Sequence, residues 1–372
     1  MRVPLFKIFS DEADIQAVTD VIKEGMYWTA GSRSAKFETM ISEYLGTKYA
    51  VVLNSGTSAL HAAIMANNIK KGDEAIVPSF SFISTANSVL FAGAKPVFAD
   101  IEPKTFGLDP ESVKEKITTK TKAIIPVHYG GSPCLIRELK EIADDYDLVL
   151  IEDAAESFGA KIENKCVGTF GESGMLSFCQ NKIITTGDGG AIITDSKEIY
   201  SKIKLIRSHG RPENTDYFTS RELPDYVCLG YNYRMSEITA ALGIAQLKKA
   251  GQIIEMRRKK AEYLTEQLRN IEEITLPLKL KGYFYVYQMY PIRVNRKYRD
   301  ALMKHLAEKN VATKVYFPPI HLTYFYKNEL KYNCKLPVTE QISSEIFTLP
   351  IYSTITTEEL EYVINEIKNF FA

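Results

Sequence analysis

Lys182 is the residue whose surroundings most clearly favour chemistry. It lies between the apolar runs 175–178 and 191–194, and the glycine-rich turn TTGDGG at residues 185–190 follows it. A lysine at a confined site loses its proton more readily than one in water, and the neutral amine can form a Schiff base with a carbonyl group. A lysine on the protein surface is the alternative interpretation, and these residues alone leave both open.

Asp153 and Glu156 are carboxylates that closely follow the apolar run at residues 148–151. We expect Asp153 at the carboxyl end of a buried strand, which is the edge where open α/β sheets bind ligands. A carboxylate at that edge could hold a cationic nitrogen, and Glu156 could share the same site. A helix cap formed by Asp153 is the competing interpretation.

The segment NSGTS at residues 54–58 lies between an apolar run and a helical pattern. Small residues such as Gly56 let the backbone approach an anion, and the following helix offers free N–H groups and the positive end of its dipole. The hydroxyls of Thr57 and Ser58 add further donors. The segment predicts a phosphate site, with an ordinary helix N-cap as an equally good alternative.

A fourth polar segment, GYNYRMSE at residues 230–237, precedes a helix and fits either a site or a subunit contact. The first three segments together offer an anion cradle, an acid for a ring nitrogen and a lysine that can form a Schiff base. Pyridoxal phosphate (PLP) requires this combination, because its phosphate needs donors, its pyridine nitrogen a carboxylate and its aldehyde an amine. An aromatic side chain such as Phe82 can cover the ring.

The elements that position these residues follow from the hydrophobic pattern. Between residues 49 and 194, short apolar runs alternate with helical patterns. Most of the runs are apolar at successive positions, which is typical of strands buried on both faces of a parallel sheet. This alternation predicts an α/β fold, with a large domain over residues 1–250 that includes an N-terminal arm.

The hydrophobic pattern of the chain changes after about residue 235. Residues 236–270 have a mostly helical pattern, and beyond them we expect strands over 284–294 and 312–317. A helix over 297–309 and a helix at the end of the chain complete the prediction. These elements form a small α+β domain, which we place at residues 251–372.

Composition excludes several classes of protein. The 372 residues carry 46 basic and 46 acidic side chains, so 46 − 46 leaves no net charge, which argues against a dedicated nucleic-acid binder. The apolar fraction of 45% and the charged fraction of 25% are those of a folded globular protein.

Other classes are excluded by motifs that the sequence lacks. Five cysteines without a CxxC motif predict neither a disulfide framework nor a metal site. No P-loop, GxGxxG or HExxH motif occurs in the sequence. Since we find neither a signal peptide nor a membrane-spanning run, we expect a cytoplasmic protein without membrane partners.

As a set, these motifs resemble those of the DegT/DnrJ/EryC1/StrS aminotransferases, PLP enzymes that aminate nucleotide-linked keto sugars. The resemblance covers nearly the whole chain. It implies PLP fold type I, the aspartate-aminotransferase-like fold, with a large domain built on a mixed, mostly parallel sheet and a smaller C-terminal α+β domain. The motifs that carry it are SGTSAL at 55–60, PSFSF at 78–82, EDAAE at 152–156, Lys182 with TTGDGG, and GYNYRM at 230–235.

The resemblance also implies roles for individual residues. Lys182 corresponds to the catalytic lysine that joins the cofactor, Asp153 to the partner of the pyridine nitrogen, and Glu156 to the side chain at the ring hydroxyl. Phe82 falls at the ring-stacking position. Phosphate contacts are implied for Gly56, Thr57 and Ser177, and for Asn232 of a partner subunit, which implies a homodimer with shared sites.

Two further residues resemble a segment that approaches the substrate. Tyr316 and His321 lie in VYFPPIH at residues 315–321. A tyrosine of the core and a capping histidine explain them equally well.

The activity that the resemblance implies is amino transfer from an amino acid, L-glutamate, to a nucleotide-linked 4-keto-6-deoxy sugar. Residues 182–187 and 230–235 resemble the branch that acts at C4, whereas DGG at residues 188–190 is closer to the branch that acts at C3. A related sugar dehydratase carries histidine at the position of Lys182, which argues against that reaction. A non-catalytic regulator that senses small molecules would not need the full set of cofactor residues.

Overall fold

The computed structural model describes residues 1–29, 31–212, 221, 223 and 225–372. None of the helices in these ranges combines the length and the apolar character needed to cross a membrane. The helices are α1 (Glu12–Glu24), α2 (Ser32–Leu45), α3 (Gly56–Ala66), α4 (Ser84–Phe91), α5 (Pro110–Lys116), α6 (Ile136–Asp145), α7 (Lys197–Arg207), α8 (Glu237–Lys248), α9 (Ala250–Leu268), α10 (Arg296–Glu308), α11 (Pro337–Glu345) and α12 (Thr357–Phe371). The strands are β1 (Tyr49–Leu53), β2 (Glu74–Pro78), β3 (Lys95–Ala99), β4 (Thr121–Ile124), β5 (Val149–Asp153), β6 (Lys161–Ile162), β7 (Lys165–Cys166), β8 (Ser173–Ser177), β9 (Gly190–Thr194), β10 (Ile274–Thr275), β11 (Tyr283–Phe284), β12 (Tyr290–Val294) and β13 (Ile346–Leu349).

A seven-stranded sheet in the order β1-β9-β8-β5-β4-β2-β3 forms the large unit. Strand β9 runs antiparallel to both of its neighbours, and the other pairings are parallel. Both faces are covered, as β1 illustrates: Val51 and Leu53 pack in a cluster with α3 and α7, whereas Ala50 and Val52 pack in a cluster with α2 and α8. The structure thus has the mixed, mostly parallel sheet covered by helices that the apolar runs predict.

A second, three-stranded antiparallel sheet, β10-β12-β13, packs with α9, α10 and α12 in a separate apolar cluster. The prediction of one strand over residues 284–294 is wrong, because the segment divides into β11 and β12. Between them, the amides of Val286 and Met289 donate to the carbonyls of Gly131 and Gly130, at 3.0 and 2.9 Å. A side chain at Gly131 would lie 2.6 Å from the amide nitrogen of Gln288, so only glycine allows this approach.

Residues 312–317 are also not the strand that the sequence predicts. The segment makes only an isolated bridge, from Lys314 to Thr348 of β13. It runs instead towards the large sheet, where the hydroxyl of Tyr129 donates to the carbonyl of Tyr316. The proposed domain boundary between residues 250 and 251 falls in the first turn of α9.

Polar contacts tie the C-terminal part of the chain to strand ends of the large sheet. Asp100, directly after β3, accepts hydrogen bonds from the amides of Val338 and Thr339 and from the Thr339 hydroxyl, and so caps the first turn of α11. Ser79, directly after β2, contacts His321. These links hold the segment that contains Tyr316 against the carboxyl edge of the large sheet.

Candidate active site

The predicted site residues meet at the carboxyl edge of the large sheet. Strands β1, β5 and β8 run in the same direction, so their carboxyl ends lie on one edge. Asp153 ends β5, Ser177 ends β8, and the N-terminus of α3 follows β1 after two residues. Lys182 lies in the loop between β8 and β9. Ligands of open α/β sheets bind at such an edge.

Lys182 and Glu156 form an ion pair that is largely shielded from water. The Lys182 Nζ lies 3.6 Å from Glu156 Oε1, and the side chains are 13% and 7% exposed. The other oxygen of Glu156 accepts a hydrogen bond of 3.0 Å from the amide of Gly130. The amide of Lys182 donates to the carbonyl of Cys179 at 2.9 Å, which fixes the base of the side chain. The amine therefore faces a single anchored carboxylate.

Asp153 is a buried carboxylate, 4% exposed. Its Oδ2 accepts a hydrogen bond of 2.8 Å from the Thr85 hydroxyl, and its Oδ1 accepts one of 3.2 Å from the Ala155 amide. Burial raises the pKa of Asp153, while the bonds from Thr85 and Ala155 and the charge of Lys182 lower it. Among the ion pairs of the described residues, none includes Asp153. A buried carboxylate of this kind has the charge that would pair with the protonated pyridine nitrogen of PLP.

Glu152, beside Asp153 on β5, is a buried carboxylate that the sequence did not distinguish. It is fully buried and accepts hydrogen bonds from the amides of Gly168, Phe170 and Gly171, at 2.7, 2.5 and 2.8 Å. The ring of His128 contacts it through Nε2 at 2.9 Å. Since successive side chains of a strand point to opposite faces, Glu152 organises the loop below the sheet edge while Asp153 faces the site.

The start of α3 is the segment for which an anion cradle is predicted. A side chain at Gly56 would lie 3.2 Å from both Cβ and Oγ of Ser177, so glycine leaves space between the helix terminus and the end of β8. The hydroxyl of Thr57 lies 2.7 Å from the hydroxyl of Ser84, at the first residue of α4. A glycine at a helix N-terminus beside hydroxyl groups suits a phosphate group, and the phosphate contacts of Gly56, Thr57 and Ser177 stay predictions.

Ser58 has a local role in the structure. Its hydroxyl donates to Asn54 Oδ1 at 2.7 Å and accepts from the amide of Ser55, while the hydroxyl of Ser55 accepts from the amide of Ser58. This is a capping box at the N-terminus of α3. This hydroxyl already has partners in the cap, which favours the helix-cap interpretation. The contact of Ser58 with phosphate stays a prediction.

Two aromatic residues border the site. Phe82 is 58% exposed, and its ring centroid lies 5.9 Å from that of Phe317. Tyr316 is half-buried; burial and then the charge of Glu156 raise its pKa, and a hydrogen bond with Asn181 lowers it. The structure therefore brings Tyr316 to the loop that carries Lys182, and it leaves a face of Phe82 open to a ligand.

His321 is held by protein partners at both ring nitrogens. Nδ1 lies 2.7 Å from the Ser79 hydroxyl and Nε2 lies 3.3 Å from Glu340 Oε1, while the ring is 2% exposed. Burial lowers the pKa of His321. This geometry favours the structural alternative over the predicted contact with substrate.

Asn232 is exposed, and its backbone is fixed beside the anion cradle. Its carbonyl accepts a hydrogen bond of 3.2 Å from Asn54 Nδ2, and the backbone of Asn232 forms an antiparallel bridge with Ser208. The rings of Tyr231 and Tyr233 stack on each other at 4.9 Å. The side chain of Asn232 is thus presented at the surface on an anchored segment.

Comparisons with known proteins agree on one family. The protein-family model described as "DegT/DnrJ/EryC1/StrS aminotransferase family" matches residues 9–368 of this chain. The "GDP-perosamine synthase" of Escherichia coli O157:H7 is 32% identical over 371 residues, which cover 100% of this chain and 99% of that protein.

Solved structures give the same result. Helicobacter pylori PseC, described as an "aminotransferase involved in the biosynthesis of pseudoaminic acid", superposes with a TM-score of 0.93 at 29% identity and covers 100% of this chain and 99% of its own. The PLP-form of the putative sugar aminotransferase Spr1654 from Streptococcus pneumoniae superposes with a TM-score of 0.93 at 26% identity, over 100% and 98%. These likenesses confirm the predicted PLP fold type I.

The buried charge of Asp153 predicts opposite effects of one substitution with and without cofactor. Since burial raises its pKa above 3.8, ionisation destabilises the cofactor-free fold at neutral pH, and this penalty disappears as the pH falls through the raised pKa. We expect cofactor-free Asp153→Asn to be more stable than wild type at pH 7, by roughly 1.4 kcal/mol per unit of pKa shift. With saturating PLP, the wild type should be the more stable protein. Denaturant midpoints measure both.

Asp300→Asn is the control, because Asp300 is 85% exposed and its substitution should leave the midpoints almost unchanged. A cofactor-free Asp153→Asn protein that is less stable than wild type at pH 7 would contradict the argument.

Proposed function

The chain belongs to the DegT/DnrJ/EryC1/StrS aminotransferase family and is a PLP-dependent sugar aminotransferase, and we propose that it moves an amino group from L-glutamate to C4 of a nucleotide-linked 4-keto-6-deoxy sugar. The observation that carries the proposal is the placement of Lys182. Its amine lies 3.6 Å from Glu156, on the sheet edge that also holds the buried carboxylate of Asp153. An amine, an acid and an anion cradle at one edge are the groups that amino transfer through PLP requires.

Lys182 is the proposed catalytic residue. When bound, PLP supplies an electron sink for the negative charge that develops at the α-carbon of the amino donor. In each half of the reaction, Lys182 Nζ removes a proton from one carbon and returns it to another, first as general base and then as general acid. The anchored carboxylate of Glu156 keeps this amine at the site while it is free, since it is the ion-pair partner of Nζ.

Asp153 and the cradle hold and orient the cofactor in this proposal. Asp153 keeps the ring nitrogen protonated, because a buried anion without an ion-pair partner stabilises a cation beside it. Gly56, Thr57 and Ser177 contact the phosphate at the start of α3 and the end of β8. Phe82 covers one face of the ring, and Glu156 lies at the ring hydroxyl.

The proposed assembly is a homodimer in which Asn232 of the partner subunit completes the phosphate site. Two observations support this assignment: the side chain of Asn232 is exposed, and its backbone is anchored through Asn54 to the cradle of its own chain. A fixed, outward-facing amide next to one cradle is suited to reach the equivalent cradle across a two-fold axis.

The acceptor is proposed from the resemblance of the motifs and from the names of relatives. A C4 enzyme must hold the sugar so that its C4 faces the carbon that carries the nitrogen, whereas a C3 enzyme must shift or turn that ring. The name of the Escherichia coli relative refers to a GDP-linked sugar. We therefore place GDP beside UDP as the nucleotide carrier of a 4-amino-4,6-dideoxyhexose product.

Lys182→Ala should lower transamination about a thousandfold or more while the protein still binds pyridoxamine phosphate. The substitution removes the amine that joins the cofactor and moves the proton, but Asp153 and the phosphate donors remain. Amination of the keto sugar and fluorescence titration with pyridoxamine phosphate provide the two measurements. Lys304→Ala, at a lysine that is 79% exposed, is the control and should retain wild-type turnover. Near-normal turnover of Lys182→Ala would exclude the assignment.

Shared sites predict complementation between two inactive variants. In a heterodimer of Lys182→Ala and Asn232→Ala subunits, one site carries both defects and the other has a normal Lys182 and a normal Asn232. Random mixing of equal amounts should restore about a quarter of wild-type activity, because half of the dimers are mixed and each has one intact site. If mixed dimers form, both single variants are weak and activity does not return, the sites are not shared.

Amination at C4 is tested with the product. NMR of the nucleotide sugar that forms from a 4-keto-6-deoxy substrate and glutamate should place nitrogen on C4. Nitrogen on C3, or activity only with a 3-keto sugar or a non-hexose, would refute the proposal. Nitrogen on C3, or activity only with a 3-keto sugar, would favour the C3-acting branch, which the DGG sequence at residues 188–190 resembles.

A further inference from the structure

Thr85 is a buried hydroxyl at the site to which the proposed mechanism assigns no role. It lies in the first turn of α4 and is 1% exposed. Its Oγ1 lies 2.8 Å from Asp153 Oδ2, and its amide donates to the carbonyl of Phe82 at 3.1 Å. One residue thus contacts both the acid proposed for the ring nitrogen and the backbone of the aromatic residue proposed to cover the ring.

The direction of these hydrogen bonds follows from the charge of Asp153. An ionised carboxylate can only accept, so the single hydrogen of the Thr85 hydroxyl points to Asp153. The hydroxyl of Ser81, 2.8 Å from Thr85 Oγ1, must then donate to Thr85. Ser81 is itself 3% exposed, so water does not compete easily for either hydroxyl. The result is a series of two hydrogen bonds with a fixed direction: Ser81 donates to Thr85, and Thr85 donates to Asp153.

We propose that Thr85 is a positioning residue that keeps Asp153 ionised and aimed at the ring nitrogen of the cofactor, with Ser81 holding the Thr85 hydroxyl in the donating orientation. The proposal rests on the pairing of Asp153 with that nitrogen, which is part of the proposed function. Thr85 itself does not touch the reacting atoms.

The groups around Asp153 explain why this hydroxyl matters. Burial raises the pKa of Asp153. The hydrogen bond from Thr85 is the largest contribution that lowers this pKa, and the Ala155 amide and the charge of Lys182 lower it by smaller amounts. The charge of Glu156 acts with burial and raises it. If Asp153 took up a proton, it would itself become a donor, the chain of hydroxyls would reverse, and the ring nitrogen would lose its anionic partner. A bound ring without that partner would withdraw fewer electrons from the nitrogen that would join it to Lys182, and that nitrogen would be more basic.

Thr85→Val tests the proposal, because valine replaces the hydroxyl with a methyl group of similar size. In the PLP-loaded protein, the pH at which the visible absorption band of the bound cofactor changes should rise by about one unit, since a hydrogen bond to a charged group is lost. Affinity for PLP should fall by about tenfold. Thr85→Ser keeps the hydroxyl and should restore the wild-type midpoint. A wild-type midpoint in Thr85→Val would overturn the proposal.

Two reference variants separate the possible failures. Asp153→Asn should raise the midpoint further than Thr85→Val does. If Asp153→Asn leaves the midpoint unchanged, the pairing of Asp153 with the ring is wrong and the role of Thr85 falls with it; if only Thr85→Val leaves it unchanged, the pairing stands and Thr85 is not a positioning residue. Ser88→Ala is the matched control, because Ser88 is fully buried on α4 but donates to the backbone carbonyl of Thr85 instead of to Asp153. It should leave the midpoint unchanged, and an equal shift in Ser88→Ala would overturn the proposal.

Ser81→Ala provides a second route should Thr85→Val fail to fold. It retains Thr85 and Asp153 but removes the donor that orients the Thr85 hydroxyl. The midpoint should shift in the same direction as in Thr85→Val and by a smaller amount. An unchanged midpoint in Ser81→Ala would overturn the part of the proposal in which Ser81 orients the Thr85 hydroxyl.

Discussion

A carboxylate buried at the end of β5 is the constraint on which the rest of the site depends. Asp153 has a hydroxyl and an amide as hydrogen-bond partners, and within the described ranges it has no ion-pair partner. Burying such a charge is unfavourable unless another group compensates it. A cation bound beside Asp153 would provide this compensation, and in a PLP-dependent enzyme the protonated ring nitrogen can be that cation.

The parallel sheet explains how residues distant in sequence serve one cofactor. Strands that run in the same direction deliver their carboxyl ends to one edge, so the residues after β1, β5 and β8 become neighbours although about 130 positions separate the first from the last. Lys182 follows β8 in a loop, which lets its amine reach the anchored Glu156. The antiparallel strand β9 starts at the same edge, where Gly190 packs against Ser55 without room for a side chain.

Neighbouring carboxylates on β5 illustrate how the surroundings decide a role. Glu152 accepts hydrogen bonds from three amides and contacts His128, so its capacity is filled by the protein itself. Asp153 is oriented by two hydrogen bonds, and no ion pair of the described residues includes it. A carboxylate with several amide partners organises a loop, whereas one with fewer partners can accept a hydrogen bond from a ligand. The C-terminal unit adds to the same edge, because Asp100 and Ser79 hold α11 and the Tyr316 segment against it.

The sequence by itself determined the α/β class and the large sheet, and it singled out candidate site residues that the structure places at one edge of that sheet. Strands buried on both faces leave continuous apolar runs, and glycine, lysine and acid at the ends of those runs reveal the chemistry locally. The sequence left open whether Ser58 belongs to a helix cap, and the structure shows that cap. Only the tertiary structure decided that Glu152 is saturated by amides of the following loop and that both nitrogens of His321 have partners. It also divided residues 284–294, since Val286 and Met289 pair with Gly131 and Gly130 instead of with a strand. The physical reason is that an apolar pattern records burial, whereas the partner of a polar group is chosen in space; Ser79, the partner of His321, is 242 positions away.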